Sequence, residues 1–134
     1  MIELLELSQV LKAVERTGTE VRYYDAECAT SKAAGWYQLN ATVDRLVICP
    51  RNNINHSDLL DTVRHEAVHV VQACYGGPVL SHDYYTKNTP EHIKERVEAT
   101  YPESHHHHEL EAFVAAEYLA EEDIIKMINK YCFQ

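Results

Sequence analysis

At residues 62–72 the chain reads TVRHEAVHVVQ, and this stretch decides how the rest of the sequence is interpreted. His65 and His69 are four residues apart, which on an α-helix is one turn plus about 40°, with a rise of about 6 Å. Both imidazoles therefore leave the same face of the helix and can reach one ion. Because Zn²⁺ accepts imidazole nitrogen, the pair supplies half of a tetrahedral site.

Glu66 follows the first histidine and points about 100° away around the helix. Its carboxylate cannot easily join the same ion, but it can reach a water molecule bound there. A metal lowers the pKa of such a water to about 7 and polarises a substrate carbonyl. The motif therefore predicts that Glu66 is a general base, which takes the water's proton and passes it to the leaving amine.

The motif lies inside a helix predicted from Ser57, as N-cap, to about Tyr75, where Gly76-Gly77-Pro78 ends it. An apolar stripe along this helix comprises Leu60, Val63, Ala67, Val70, Val71 and Cys74. A polar stripe on the adjoining face comprises Thr62, His65, His69 and Gln72. The helix is therefore predicted to be central. The alternative is a solvated face that happens to hold two histidines.

Around this helix the hydrophobic pattern predicts one α+β domain over residues 1–134. The predicted elements are a helix over 3–16 ended by Gly18, strands at 20–24, 36–39 and 46–49, the central helix, a loop over 77–88, and helices over 90–100 and 104–130. The last two strands are expected to form a hairpin.

Net charge and the length of the apolar runs indicate which partners and which cellular compartment to expect. The chain has 21 acids against 12 lysines and arginines, a net charge of −9 that repels phosphate backbones. The longest apolar runs are too short to span a bilayer, and the acidic segment Met1–Glu6 is unlike a secretory signal. We therefore expect a cytoplasmic protein with no nucleic-acid partner and no membrane. Reduced, buried thiols are expected for Cys28, Cys49, Cys74 and Cys132, and a disulfide framework is the less favoured alternative.

Residues 62–72 resemble the active-site helix of gluzincin metallopeptidases, in a minimal single-domain form. In that family the third zinc ligand is a glutamate on a later helix, in patterns such as E-x-x-A-D. The segment Glu109–Phe113 is similar to that pattern, so the resemblance implies that Glu109 completes a Zn²⁺ site with His65 and His69. It also implies a zincin-like fold, with a small antiparallel or mixed sheet packed on the HExxH helix and a C-terminal helix.

The third ligand has rivals. Phe113 stands where the family often has an acid that orients a histidine ligand, and Glu111 competes with Glu109. The two carboxylates point about 200° apart on a helix, so only one can face the ion. The run His105–His108 precedes them and could instead supply a third histidine ligand or line the cleft.

The resemblance further implies zinc-dependent hydrolysis of a peptide bond in a peptide or protein substrate. Leu46–Cys49 is the candidate edge strand for pairing with an extended peptide. Candidates for hydrogen bonding to the oxyanion are His82, Tyr84, Tyr85 and Tyr101. The alternatives are a non-catalytic zinc-binding regulatory or interaction module on the same fold, and a metal-free interaction protein.

Overall fold

The computed structural model describes residues 5, 8–23 and 26–133, and within them the main elements are six α-helices and three strands, with three short 3₁₀ helices between them. In chain order they are α1 (Gln9–Arg16), β1 (Glu20–Tyr23), β2 (Gly35–Leu39), β3 (Asp44–Ile48), α2 (His56–Tyr75), α3 (His82–Asn88), α4 (Glu91–Thr100), α5 (His106–Tyr118) and α6 (Glu121–Cys132). The α+β class predicted from the sequence is confirmed. No helix among these residues is long and apolar enough to cross a membrane.

Helix α1 begins after Ser8, whose hydroxyl accepts a hydrogen bond from the backbone N–H of Leu11. It ends before Gly18, which has a φ of +95° as expected for a residue that terminates a helix. The predicted beginning of this helix, at residues 3–4 and 6–7, and the predicted strand end at Tyr24 lie outside the described residues.

Helix α2 is central, as predicted, and packs against α1, α5 and α6. Its buried apolar side chains are Leu59, Val63, Ala67, Val68, Val70 and Val71, which lie in the main core cluster. The predicted cap at Ser57 is wrong, because the side-chain oxygen of Asn55 accepts the hydrogen bond from the N–H of Asp58 at 2.9 Å. Gly76, with a φ of +97°, ends the helix.

The sheet is mixed, with strand order β1–β3–β2. β1 runs parallel to β3, and β2 pairs antiparallel with β3 as the expected hairpin. The prediction that Leu46–Cys49 is an edge strand is wrong, because β1 occupies the second side of β3. The two edge strands are β1 and β2, and β2 (Gly35–Leu39) is the edge strand that borders the cleft described below.

Gly35 allows β2 to lie tightly against the rest of the fold. A Cβ atom at this position would lie 2.8 Å from the carbonyl oxygen of Val47 and 2.9 Å from Cγ2 of Thr62 on α2. Both distances are shorter than van der Waals contact, so only a residue without a side chain fits here. Glycine at this position thus allows β2 to approach α2 closely.

The C-terminal half departs from the predicted elements twice. The predicted loop over 77–88 contains α3, which is capped by the Ser81 hydroxyl and holds the buried side chain of Tyr85. The predicted helix over 104–130 is two helices, since the backbone is extended at Leu119 and Ala120. Neither Gly nor Pro marks that break, and the only local signal is the acidic start of α6 at Glu121–Asp123.

The four cysteines form two disulfides, so the prediction of reduced, buried thiols is wrong. Cys28 is bonded to Cys49, with 5.6 Å between Cα atoms, and Cys74 to Cys132, with 5.1 Å. The second bond joins the C-terminal ends of α2 and α6. Wide spacing along the sequence concealed both pairs, because the fold brings together residues 21 and 58 positions apart.

Candidate metal centre

Two imidazoles from α2 and one carboxylate from α5 converge on one point. Nε2 of His69 lies 2.9 Å from Oε2 of Glu109, and Nε2 of His65 lies 3.5 Å from Oε1 of the same carboxylate. One potential ligand atom from each residue lies within 4.8 Å of the others. The side chain of Glu109 is 9% exposed, against 24% for His65 and 18% for His69, so the carboxylate forms the inner wall.

This donor set fits a divalent metal ion. Two imidazole nitrogens and one carboxylate oxygen are a known zinc ligand set that leaves a fourth position for water or substrate. Ligand atoms about 2.0 to 2.1 Å from a tetrahedral Zn²⁺ are ~3.3 Å from one another. The observed separations of 2.9 and 3.5 Å fall on either side of that value.

The electrostatics of the cluster favour positive charge at this point. Burial is the largest single effect on His69 and would lower its pKa, but the hydrogen bond with Glu109, the charges of Glu66 and Glu109 and the hydrogen bond with Gln72 together raise the pKa to about 9. Burial would likewise raise the pKa of Glu109, but hydrogen bonds from His65 and His69 hold it well below its usual range. A carboxylate that stabilises an imidazolium this strongly also attracts a cation held between the rings.

Glu66 lies beside the cluster and is 8% exposed. Burial raises the pKa of its carboxyl group, and the nearby His65 and His69 partly oppose that effect. Together with His69 and Glu109 it lines a cleft of about 740 Å³. A carboxyl group with a raised pKa, in reach of a bound solvent molecule, is suited to accepting and returning a proton.

Glu111, the rival ligand, faces the other way. Its side chain is fully buried, with Oε2 accepting hydrogen bonds from the backbone N–H groups of Val79 and Leu80, both at 2.7 Å. Oε1 accepts a hydrogen bond from the side-chain amide of Gln72 at 2.9 Å. The amide oxygen of Gln72 in turn lies 2.8 Å from Nδ1 of His69. Glu111 therefore contacts the site only through Gln72.

The cleft extends from the cluster along the edge strand β2 to the start of α5. Its lining residues are Gly35, Trp36, Tyr37, Leu39, Glu66, His69, Gln72, Ala73, Gly76, Tyr101, Ser104, His105, His108 and Glu109. Aromatic and apolar side chains thus face polar ones across an open groove. The four β2 residues were not assigned to the site from the sequence, because the wrong strand was taken as the edge.

The histidine run divides between two environments. His105 and His108 line the cleft, whereas His107 lies 3.0 Å from the hydroxyl of Tyr85 and His106 contacts the backbone carbonyl of Tyr101. Among the described residues the group that could hold a metal ion consists of His65, His69 and Glu109. The run therefore lies next to the centre without supplying a ligand.

Only one of the four residues predicted to stabilise an oxyanion lines the cleft. Tyr101 does so, and burial followed by the charge of Glu109 raises the pKa of its hydroxyl. Tyr85 is instead 3% exposed and packs in a second apolar cluster, while His82 and Tyr84 are exposed on α3.

The sequence suggested that Gln72, on the polar stripe, hydrogen-bonds near the site or serves packing, but it did not predict the buried hydrogen bond between Gln72 and Glu111. Gln72 follows His69 by three residues, a spacing at which helical side chains are neighbours, and that was the available signal. No comparable signal existed for Glu111, since two of its partners are backbone groups.

Comparisons with known proteins give the chain a family but no activity. No curated protein and no solved structure matches it. A family model matches residues 2–133, which is nearly the whole chain. The chain therefore belongs to the family described as Domain of unknown function (DUF8637).

Proposed function

We propose that this protein is a zinc-dependent peptidase with a minimal zincin-like fold, in which His65, His69 and Glu109 hold the metal and Glu66 is the general base. One observation carries the proposal. The three ligand atoms lie within 4.8 Å of one another at the wall of an open cleft that Glu66 also lines.

Each residue has a distinct task in this reaction. A divalent cation, when bound, supplies polarisation of the scissile carbonyl and acidification of a water molecule. Glu66 takes the proton from the attacking water and returns it to the leaving amine. The hydroxyl of Tyr101, which interacts with Glu109 in this structure, is the donor on the cleft wall that would turn to the oxygen that becomes negatively charged.

The open cleft favours catalysis over a purely structural metal site. A structural zinc site is closed by four protein ligands, whereas a catalytic site has three and leaves a position for water or substrate. Three ligands beside a cavity of about 740 Å³ fit the second pattern. A non-catalytic zinc-binding module remains the alternative, and it requires metal binding without turnover.

An extended peptide fits the shape of this cleft. β2 has a neighbouring strand on one side only, and its residues Gly35–Leu39 border the groove. A peptide can therefore hydrogen-bond to the free edge of β2 while its side chains contact Trp36 and Leu39. This arrangement gives the edge role to β2 instead of the strand expected from the sequence.

The two disulfides favour an oxidising compartment for the proposed enzyme. Structural disulfides persist in secreted or periplasmic proteins and are rare in the cytoplasm. This argues against the cytoplasmic location expected from the sequence. The mass of the purified protein after thiol alkylation tests whether the two disulfides are present. We expect no alkylation without a reductant, and four alkylated cysteines would refute the pairing.

Metal analysis and digestion of a peptide library test the proposed function. We expect about one zinc per chain, with Zn²⁺, Mn²⁺, Co²⁺ and Fe²⁺ compared as competitors. Glu66→Gln is expected to retain the metal and lose about 10²- to 10⁴-fold in activity. Glu109→Gln is expected to lose metal and activity together.

The two variants separate the possible outcomes. Full proteolysis by Glu66→Gln would refute its role as base. Stoichiometric metal in the wild type without cleavage of any library peptide would favour the non-catalytic module. If the wild type binds none of the four cations, the metal centre itself is disproved.

A further inference from the structure

A buried polar chain behind His69 has no direct part in the proposed reaction. It consists of Gln72, which is 3% exposed, and Glu111, which is fully buried. We infer that Gln72 is a positioning residue that fixes the orientation and tautomer of His69, and that Glu111 holds the Gln72 amide in the one orientation that does so. The effect on metal affinity rests on the proposed function, whereas the position of the proton on His69 does not.

The orientation of the Gln72 amide follows from its neighbours. Its nitrogen lies 2.9 Å from the carbonyl oxygen of His108 and 2.9 Å from Oε1 of Glu111. The NH₂ group can only donate, and both neighbours accept. A flipped amide would bring its oxygen against two other oxygens, so the amide oxygen must face His69.

That orientation decides which nitrogen of His69 carries hydrogen. An amide oxygen only accepts, so Nδ1 of His69, 2.8 Å away, must be the donor. In the neutral ring Nε2 is then unprotonated, and it is this nitrogen that faces Glu109 at 2.9 Å. The lone pair of Nε2 therefore points to the proposed metal position.

Backbone groups fix the far end of the chain. The N–H groups of Val79 and Leu80, in the segment between α2 and α3, both donate to Oε2 of Glu111. A backbone N–H can only donate, so Oε2 of Glu111 is held as an acceptor and Oε1 of the same carboxylate faces the Gln72 nitrogen. Together with the His108 carbonyl, which can only accept, this carboxylate keeps the Gln72 amide oxygen toward Nδ1 of His69.

This network supplies what the residue at position 113 does not. Phe113 stands where related metal helices often have an acid that orients a histidine, and here it packs against the second apolar cluster. In this chain the orienting group is Gln72 on α2, three residues after His69, and Gln72 is held in turn by Glu111 on α5. The resemblance at the motif therefore coexists with a different means of holding the histidine.

The proton on Nδ1 of His69 can be observed directly by ¹H–¹⁵N correlation spectroscopy of the imidazoles. We expect a slowly exchanging Nδ1–H signal for His69 in both the metal-free and the zinc-loaded protein, because that proton is present in the neutral and the charged ring. Gln72→Met, which has a side chain of similar length without polar groups, should lose the signal to solvent exchange. His65, whose ring contacts Glu109 and not Gln72, is the internal control.

Metal affinity gives the second measurement, by competition with a chelator. Gln72→Met should bind Zn²⁺ about 10- to 100-fold more weakly, the usual effect of losing a partner of a ligand histidine. Ser8→Ala is the matched control, since it removes a buried hydrogen bond in α1, outside the site. It should lower the melting temperature with unchanged zinc affinity.

The exchange of the two side chains tests the direction of the hydrogen bonds. In Gln72→Glu alone, two carboxylates face each other, and zinc affinity should fall. In the double variant Gln72→Glu/Glu111→Gln, the amide at position 111 can donate to the carboxylate at position 72 and accept from Val79 and Leu80. Part of the lost affinity should therefore return, and the remainder reflects the repulsion between the position-72 carboxylate and the His108 carbonyl, which both variants share. A purely structural Glu111 predicts no such recovery, since the double variant would then bind no better than the worse single one.

These outcomes separate the inference from the proposed function. A His69 Nδ1–H signal unaffected by Gln72→Met would overturn the inference, whatever the protein's activity. If the wild type binds no metal, the proposed function fails, while the same spectra still decide how His69 is positioned.

Discussion

Helix α5 carries two glutamates, two residues apart, whose surroundings differ on its two sides. On the cleft side, the partners of Glu109 are the imidazoles of His65 and His69, side chains of a type that can bind a metal ion, and His69 lines the groove. On the sealed side, the partners of Glu111 are two backbone N–H groups and one amide, and solvent has no access. Residue type is the same, so the difference in role comes from the partners.

Burial alone does not identify a functional carboxylate. Counted over the whole residue, Glu109 is 7% exposed and Glu111 is 0% exposed, so both would be assigned to the interior. What distinguishes them is whether the surrounding donors can be replaced by a cation. An imidazole nitrogen can lose its proton and coordinate a metal ion instead, whereas a backbone N–H group cannot. Substitutions on the sealed side should therefore lower the free energy of unfolding most. Substitutions on the cleft side should mainly lower metal binding and activity.

The same substitution at both glutamates is the strongest test of this comparison. Glu111→Gln should destabilise the metal-free protein by about 3 kcal/mol, because a single amide oxygen cannot serve three buried donors. Glu109→Gln should cost less, about 1 to 2 kcal/mol, because the charge-assisted contacts with two imidazoles are weakened but each ring can lose its proton and stay paired with the amide. Urea denaturation of both variants measures the difference. Equal losses, or a larger loss for Glu109→Gln, would contradict the assignment of the two sides.

A second test concerns Gly35, which packs tightly against α2 and also lines the cleft. Gly35→Ala should cost about 2 kcal/mol, since the added methyl group overlaps the Val47 carbonyl and the Thr62 side chain. The resulting shift of β2 away from α2 should also weaken peptide binding. Thermal unfolding measures the first effect and KM the second. A fully stable Gly35→Ala protein would mean that β2 is not held as tightly as its contacts indicate.

The sequence was sufficient for the features that depend on local spacing. Helical periodicity located α2, and the four-residue spacing put His65 and His69 on one face. The assignment of Glu109 came from a resemblance, and the structure brings its carboxylate close to both imidazoles. These features need only the helix period and a familiar pattern.

Features set by distant chain segments could not be predicted in this way. The insertion of β1 beside β3 made the expected edge strand central, and no residue within β3 signals that pairing. The partners of Glu111 include backbone groups, which have the same chemistry in every residue. Cys74 and Cys132 meet only because α2 and α6 end side by side. Tertiary contacts decided all three.

The smallest effect on stability is expected at Leu39, on the open edge of the cleft. This side chain is 56% exposed and lines the groove at the end of β2, so Leu39→Ser should change the free energy of unfolding by less than about 0.5 kcal/mol. Its apolar surface is nevertheless available to a bound peptide, and the loss of that contact should raise KM several-fold for peptides with an apolar side chain there, with little change in kcat. Parallel unfolding and kinetic measurements would separate the two quantities. A large loss of stability with unchanged KM would place Leu39 among the residues that hold the fold, and the distinction between an open and a sealed side would then fail at the strand where the substrate is proposed to bind.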